Sequence, residues 1–503
     1  MEMGSSTSPS AIAALDAVVT LAVHALASWP GEVRLQSCVA LLVRAITASD
    51  TRCAALVGSW PATRHAGWEA LCTNVFTRPI QERALRKLMQ ALAAAGNAAP
   101  DPSAYARELV NAPLSEINQI VSGSVDDRGA ANTSASPRRL CALFALLRGG
   151  IEGAPLRGLR AAAESAIAGA LPAACAVLRL RPSDARLVAS ALKLVEATIA
   201  SLSLLGATPG ALLELASRNC LTLLSTYCSE CAPRLLGSAS SALGREEAKD
   251  AYRGARSWLC ILADFCDARV EGVDTTVPEI GQVVLMGLGA LLPLVSQDLL
   301  GFPKLSASYF HLMQKLAIGY FEQVLALDEQ SFTQLMATLE FGLLKPGDMQ
   351  ARRDSLVALA SLTRFAAVSL RLAVAVTSGA LGANASVLGK FADVLVARVL
   401  LEADTRDKAE ACVDVLLPLH LLERNRLEAA LRHLAGEHRG AANHLEQVAL
   451  LSADENLTSR YLALGARGPL TDPLVNDYRR RITLSVLGAA HGSCVPQSPT
   501  HLG

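Results

Sequence analysis

Residues 291–365 read LLPLVSQDLLGFPKLSASYFHLMQKLAIGYFEQVLALDEQSFTQLMATLEFGLLKPGDMQARRDSLVALASLTRF, and this stretch decides the fold. Short breaks at 301–304, 326–330 and 345–348 divide it into apolar-periodic segments. In the third segment Phe332, Leu335, Met336, Leu339 and Leu343 recur at spacings of three and four, which puts them on one face of an α-helix. The fourth repeats the pattern with Leu356, Leu359, Leu362 and Thr363. The turn between the two is too short for anything but antiparallel packing. Neither helix can bury its stripe alone, so such pairs are expected to stack on one another.

The rest of the chain has the composition of that stretch. Ala and Leu dominate its 503 residues and aromatics are only 4%, which suits closely packed helices and leaves little to build β-strands. Lys plus Arg equals Asp plus Glu, 46 each, so the formal charge is zero. A general nucleic-acid or anionic-membrane binder needs a basic excess, and this chain has none. Twelve cysteines are too dilute for a disulfide scaffold. Cys38, Cys72, Cys141, Cys175, Cys260 and Cys412 lie in apolar helical runs and read as reduced core thiols. Glu2 and the lack of a positive n-region argue against a signal peptide. Residues 280–297 and 365–390 are apolar enough to test as membrane spans, and read better as buried helices of a layered stack.

Helices are expected at 11–28 and 32–48, 65–76 and 80–95, and 101–121, where Pro102 fits the first turn and Pro113 introduces a bend. Further helices are read at 140–148, 154–170, 185–204, 209–227 and 246–266, with Gly149-Gly150 and Arg181-Pro182 as turns. After the central block come 386–401, 408–422, 426–437, 444–451 and 472–487. The pairs span a two-helix repeat period of the HEAT type. The expected fold is therefore all-α: a HEAT-like α-α superhelix, or solenoid, of antiparallel helix pairs. Its expected organisation is repeats at 10–121, a flexible loop at 122–138, repeats at 139–228, a second flexible loop at 229–245, repeats at 246–488 and a disordered tail at 489–503.

Few residues suggest chemistry. Cys228 and Cys231 form a CxxC with Cys220 eight residues upstream, but a structural zinc site wants a second such pair and the chain has none. A redox pair would sit at a helix start after a strand, whereas this one follows a helix end. His433, His438 and His444 are spaced by five and six, on different helical faces, and Glu437-His438 does not extend to HExxH. Asp126 and Asp127 read as solvated loop. Arg479, Arg480 and Arg481 form a basic patch on the final helix, read as a solvated face before an acidic contact. No phosphate-binding glycine loop, nucleophile elbow or kinase catalytic loop is present. No catalytic residue, metal ligand or cofactor is assigned, and a binding scaffold rather than an enzyme is the expectation.

Pro293-Leu294-Val295-Ser296-Gln297-Asp298-Leu299-Leu300, Phe302-Pro303-Lys304-Leu305, Tyr309-Phe310 and the run from Phe332 through Glu340-Phe341-Gly342 resemble the C-terminal region of exportins. These belong to the importin-β/karyopherin family, built from HEAT repeats. Trp29-Pro30-Gly31-Glu32 and residues 81–91 are similar as well, and Asn476-Asp477-Tyr478-Arg479 resembles the closing helix more weakly. The resemblance spans nearly all of this chain but only the C-terminal half of such a receptor. It implies a nuclear transport receptor that binds the GTP-loaded Ran GTPase, wraps a folded protein cargo such as a hypusine-bearing translation factor, and meets phenylalanine-glycine nucleoporins. It further implies shuttling between nucleus and cytoplasm, with the main Ran-binding repeats expected upstream of this chain. Neither nucleic acid nor membrane is an implied partner. Residues 122–138 and 229–245 match nothing in that family.

Overall fold

The structure, a computed structural model, describes residues 32–47, 81–126, 137–233, 245–268, 278–292, 300–371 except 346, 384–464 except 385, 404, 453 and 454, and 472–493, with scattered positions between 10 and 28. Every element among the described residues is a helix. The chain divides into two compact units, Met1–Leu294 and Val295–Gly503.

The amino-terminal unit contains α1 (Val33–Thr47), α2 (Glu82–Ala95), α3 (Pro102–Asp126), α4 (Pro137–Gly153), α5 (Leu156–Leu180), α6 (Ala185–Leu204), α7 (Gly210–Thr226), α8 (Arg245–Asp267) and α9 (Pro278–Leu291). They form two layers. In one, α1 packs on α2, α2 on α4, α4 on α6 and α6 on α8; in the other, α3 packs on α5, α5 on α7 and α7 on α9. The pairs α3–α4, α5–α6 and α8–α9 link the layers as hairpins. Each helix thus touches its hairpin partner and the next helix of its own layer, the nearest-neighbour packing of an α-α solenoid of the HEAT-like kind.

Sequence accounts for this arrangement locally. Val188, Leu192, Val195, Ile199 and Leu202 form one apolar stripe along α6 at spacings of three and four and all are buried, each contributing roughly 1.5–3 kcal/mol of burial. Asp184 starts the helix by accepting a bond from the Leu187 N–H at 3.0 Å, and Asp101 does the same for α3 through the Ser103 and Ala104 N–H groups.

Several expectations are corrected here. Gly149 and Gly150 do not turn the chain but lie inside α4. A Cβ at Gly149 would collide with the Arg86 carbonyl on α2, so the glycine serves a close backbone approach between helices. The helix read at 154–170 begins at Leu156 and does not stop before Pro172. It passes through a π-helical turn at Ala166–Ala170 and continues to Leu180, the wider turn accommodating the residue that lacks an N–H. Residues 122–126 and 137–138, expected within a loop, are the last turn of α3 and the start of α4. The loop expected at 229–245 likewise loses its first residues to a π-helical turn at Tyr227–Cys231 that continues α7, with Ala232 buried beyond it. The apolar stretch 280–297 yields α9, 14 residues long and too short to cross a bilayer. Helices α5 and α6 are long and apolar enough by composition, yet 67% of each window is buried against neighbours. The helix expected at 65–76 lies outside the described residues, as does most of 11–28.

The carboxyl-terminal unit contains α10 (Pro303–Gly319), α11 (Phe321–Leu325), α12 (Glu329–Leu344), α13 (Met349–Arg371), α14 (Phe391–Val394, continued by a π turn at Leu395–Val399), α15 (Arg406–Glu437), α16 (Ala442–Ser452), α17 (Glu455–Ala463) and α18 (Pro473–Ser493). Helix α13 packs between α10 and α15, and α15 in turn packs on α18. Helices α12, α14 and α16 pair with α13, α15 and α18 from the second layer. The quoted stripe is where the sequence placed it: Phe332, Leu339, Leu343, Leu359, Leu362 and Thr363 are all 0% exposed.

An extra break falls at Tyr320, whose φ of −132° and ψ of 33° end α10 before α11. The turn before α13 closes on Gly347 at φ +77°, and Asp348 accepts the Ala351 N–H at 3.1 Å. Lys345 clasps this turn: its ammonium donates to the Leu300 carbonyl at 2.7 Å, Ser306 Oγ at 2.9 Å and Asp348 Oδ2 at 2.8 Å. Glu423, at φ −140° and ψ 60°, breaks α15 into the two helices expected at 408–422 and 426–437. Residues 489–493, expected in a disordered tail, belong to α18, which extends to Ser493 and buries Ala489 and Ala490. Helix α17 carries too little periodicity over nine residues to be read from sequence. Residues 372–383 and 385 of the stretch 365–390 lie outside the described residues.

Candidate protein-interaction surfaces

The CxxC is split by its own helix. Cys228 points toward the Ala290 carbonyl of α9, at 3.6 Å, and Cys231 toward the Leu178 carbonyl of α5, at 4.0 Å. Cys220 is buried one helical stretch away. Burial pushes the Cys228 thiol up to about 11 and Cys220 higher still, so neither is a ready thiolate. Burial likewise raises Cys141 and Cys412 to about 12. Among the described residues no group of three His, Cys, Asp or Glu could hold a metal ion. Cys38 is exposed and Cys260 half-buried, which corrects their placement as core thiols; Cys72 lies outside the described residues. Asp126 closes α3.

The three histidines separate as their spacing implies. His433 stands exposed on α15 beside Glu437, Nε2 to Oε1 3.7 Å; His438 caps the end of that helix; His444 packs over Gly488 of α18. The arginine triplet divides. Arg479 makes a two-pronged contact with Asp414 on α15, at 2.7 and 2.8 Å, while Arg480 and Arg481 face solvent. Burial pushes the Asp414 carboxyl up, and Arg479 opposes it. The triplet is therefore one structural fastener and two solvated charges.

Concave surface occurs in each unit. In the carboxyl-terminal unit a groove of about 690 Å³ runs between α14 with its π turn and the second half of α15. Val396, Leu434 and the alanines 397, 429 and 430 line it, and Asp393, Arg398, Arg426, His433 and Glu437 form the rim. Arg426 Nε donates to Asp393 Oδ2 at 2.8 Å across the mouth. Behind the rim Glu428 accepts from Arg424 and Arg432, each at 2.8 Å, and the Arg424 bond is the chief reason its carboxyl is held below the ordinary value. The Arg424–Glu428–Arg432 ladder was legible as i, i+4 spacing. The Asp393–Arg426 pair was not, because its partners are 33 residues apart and nothing local links them. In the amino-terminal unit a groove of about 450 Å³ follows α3 past Asn111, Ser115, Asn118, Gln119 and Ser122. Small floors and polar rims of this kind suit a polypeptide segment; neither groove brings a nucleophile next to a base.

No protein-family model matches the chain. Among solved structures it is similar to a circular tandem repeat protein with novel repeat topology and enhanced subunit contact surfaces, at 16% identity, with 95% of this chain and 98% of that chain covered and a TM-score of 0.34.

Proposed function

We propose that this chain is a helical-repeat scaffold that binds other proteins without chemical turnover, and that its partners are those of an exportin-type nuclear transport receptor. The observation that carries the scaffold reading is the packing rule found in each unit, in which each helix meets mainly its hairpin partner and its neighbours in the layer. Such an array exposes long helical faces in place of a single enclosed site. The transport reading is supported by the motif residues that resemble exportins, and their positions explain what they do. Tyr309, Phe310 and Phe332 are 0% exposed, and Gly342 lets Phe310 and Ser355 close on α12. They are packing residues, so they speak for a kind of repeat and name no contact with Ran or cargo. Residues 293–299 of the motif lie outside the described set.

In this reading the protein binds folded cargo together with the GTP-loaded Ran GTPase, meets phenylalanine-glycine nucleoporins, and shuttles between nucleus and cytoplasm. Binding at one repeat would alter helix angles in its neighbours and so couple one partner to another. The test is cargo affinity measured with the full natural protein, with and without GTP-loaded Ran. A rise on addition is expected, and no change defeats the transport reading. A repeat scaffold with no transport role is the second reading, favoured by the buried placement of the motif. Lasting exclusion from nuclei in a shuttling assay, with a stable cytoplasmic complex recovered, would select it.

A further inference from the structure

The layer formed by α3, α5, α7 and α9 in the amino-terminal unit has a polarity that the opposite layer lacks. Its helices run in the same direction and in register. Gly158 at the start of α5 sits on Pro102 and Ala106 at the start of α3, and Gly169 sits on Leu114. Asn219 of α7 donates to the Ile167 carbonyl at 2.9 Å, and Cys228 reaches the Ala290 carbonyl of α9 at 3.6 Å. Charges gather at the amino-terminal ends: Arg107 and Glu108, Arg157, Arg160 and Glu164, Glu214 and Arg218, and Glu279. The stretches that follow carry none, up to Asp126 of α3, Arg179 of α5 and Glu230 in the π turn that continues α7. Residues 117–125, 165–178, 219–229 and 280–291 contain no Asp, Glu, Lys or Arg. Because the register is parallel, these four segments lie side by side, and a single charge-free face crosses all four helices.

The face is exposed and polar. Asn118, Gln119, Pro172, Thr222, Gln282 and Met286 all face solvent, Met286 at 64% exposure. Asn118 and Gln119 make no hydrogen bond among the described residues, and they line the ≈450 Å³ groove. Four helices about 9–10 Å apart, carrying charge-free segments of roughly 14–21 Å at about 1.5 Å per residue, make a face of roughly 650 Å², within the roughly 600–1,000 Å² that one partner contributes to a standard stable interface. Depletion of charge with an exposed methionine is the composition of an interface core.

We propose that this face is where two copies of the chain associate. A carboxamide or hydroxyl both donates and accepts, so a two-fold contact can pair this surface with itself, whereas a charged surface would repel its own copy. The face offers no charge of either sign to select a nucleic acid, a lipid headgroup or an acidic or basic segment. With a formal net charge of zero the two copies also meet no long-range repulsion.

Sedimentation of the full 503-residue chain over a concentration series, at low and high salt, tests this. A dimer is expected whose dissociation constant does not change with salt. The double change Asn118→Asp with Gln119→Glu, and separately Gln282→Glu, should each weaken it about tenfold or more, because each buries carboxylates in a contact that offers no cation to pair them. Gln334→Glu, on an exposed position of α12, should leave it unchanged. Helical content by circular dichroism checks that each variant folds, and the α3 and α9 variants are independent of each other. A monomer at every concentration, a dimer dispersed by salt, or a dimer indifferent to charge on both α3 and α9 would each overturn the proposal.

Discussion

Helices α2 and α4 in the amino-terminal unit and helices α10, α12 and α13 in the carboxyl-terminal unit solve the same packing problem from opposite ends. Between α2 and α4 side chains are removed until backbones meet. Gly149 and Gly153 lie where a Cβ would strike the Arg86 and Gln90 main chain, and Ala84, Ala91 and Ala95 fill the rest of the α2 side. Between α10, α12 and α13 large rings are inserted instead. Tyr309 and Phe310 meet edge to face at 5.3 Å, Tyr309 Oη bonds Thr338 Oγ1 at 2.7 Å, and Gly342 makes room for the Phe310 ring. Close approach gains dispersion along the backbone; ring insertion gains buried apolar area. The first arrangement should tolerate no addition and the second no removal.

The sharpest test of that contrast is Phe310→Ala, expected to cost the carboxyl-terminal unit about 3–5 kcal/mol because a fully buried ring leaves a cavity. Denaturant unfolding measures it, and a cost below about 1 kcal/mol would mean the rings do not hold this stack. Next in size is Gly149→Ala, expected to cost the amino-terminal unit about 1–3 kcal/mol, since its new methyl group meets main chain that cannot rotate away. The neighbouring Gly150→Ala should have the opposite sign. Its Cβ would find only ordinary contacts, 3.7 Å or more, with Met89 and Val110, so it should stabilise α4 by about 0.5–1 kcal/mol through helix propensity. If the two alanines behave alike, close approach is not what the glycines serve.

The smallest effect concerns the Lys345 clasp in the aromatic stack. Burial works to raise the Asp348 carboxyl, but the Lys345 bond, the Ala351 N–H and the Ser306 hydroxyl outweigh it and leave the group below its ordinary value. A depressed carboxyl contributes stability that is present above the unfolded value near 4 and is lost as pH falls through the folded value. Unfolding of wild type and Asp348→Asn should therefore differ at neutral pH and converge below the carboxylate range. Parallel pH curves for the two would remove the clasp from the account.

Much of this was legible beforehand, for a local reason. An apolar stripe at spacings of three and four needs only the geometry of one helix, so Phe332, Leu339, Leu359 and Leu362 were placed before any neighbour was known. The start of α18 follows from the same local geometry, with Asp472 accepting the Leu474 and Val475 N–H groups at 2.9 and 3.2 Å. Glycine misled because its meaning is not local: Gly149 has the same identity at a turn and at a helix contact, and only the position of α2 distinguishes them. The arginine triplet failed likewise, since Asp414 lies 65 residues from Arg479.

By itself, then, the sequence determined the class of the protein: helices, their approximate ends, and the need to stack them in pairs, because hydrophobic periodicity and chain stiffness act over one or two turns. The tertiary structure alone decided which helices are parallel neighbours in a layer, where backbones touch, which charges are fastened and which are free, and that four uncharged helix segments come to lie on one face. Those outcomes depend on distances between residues far apart in the chain, and no local pattern encodes them.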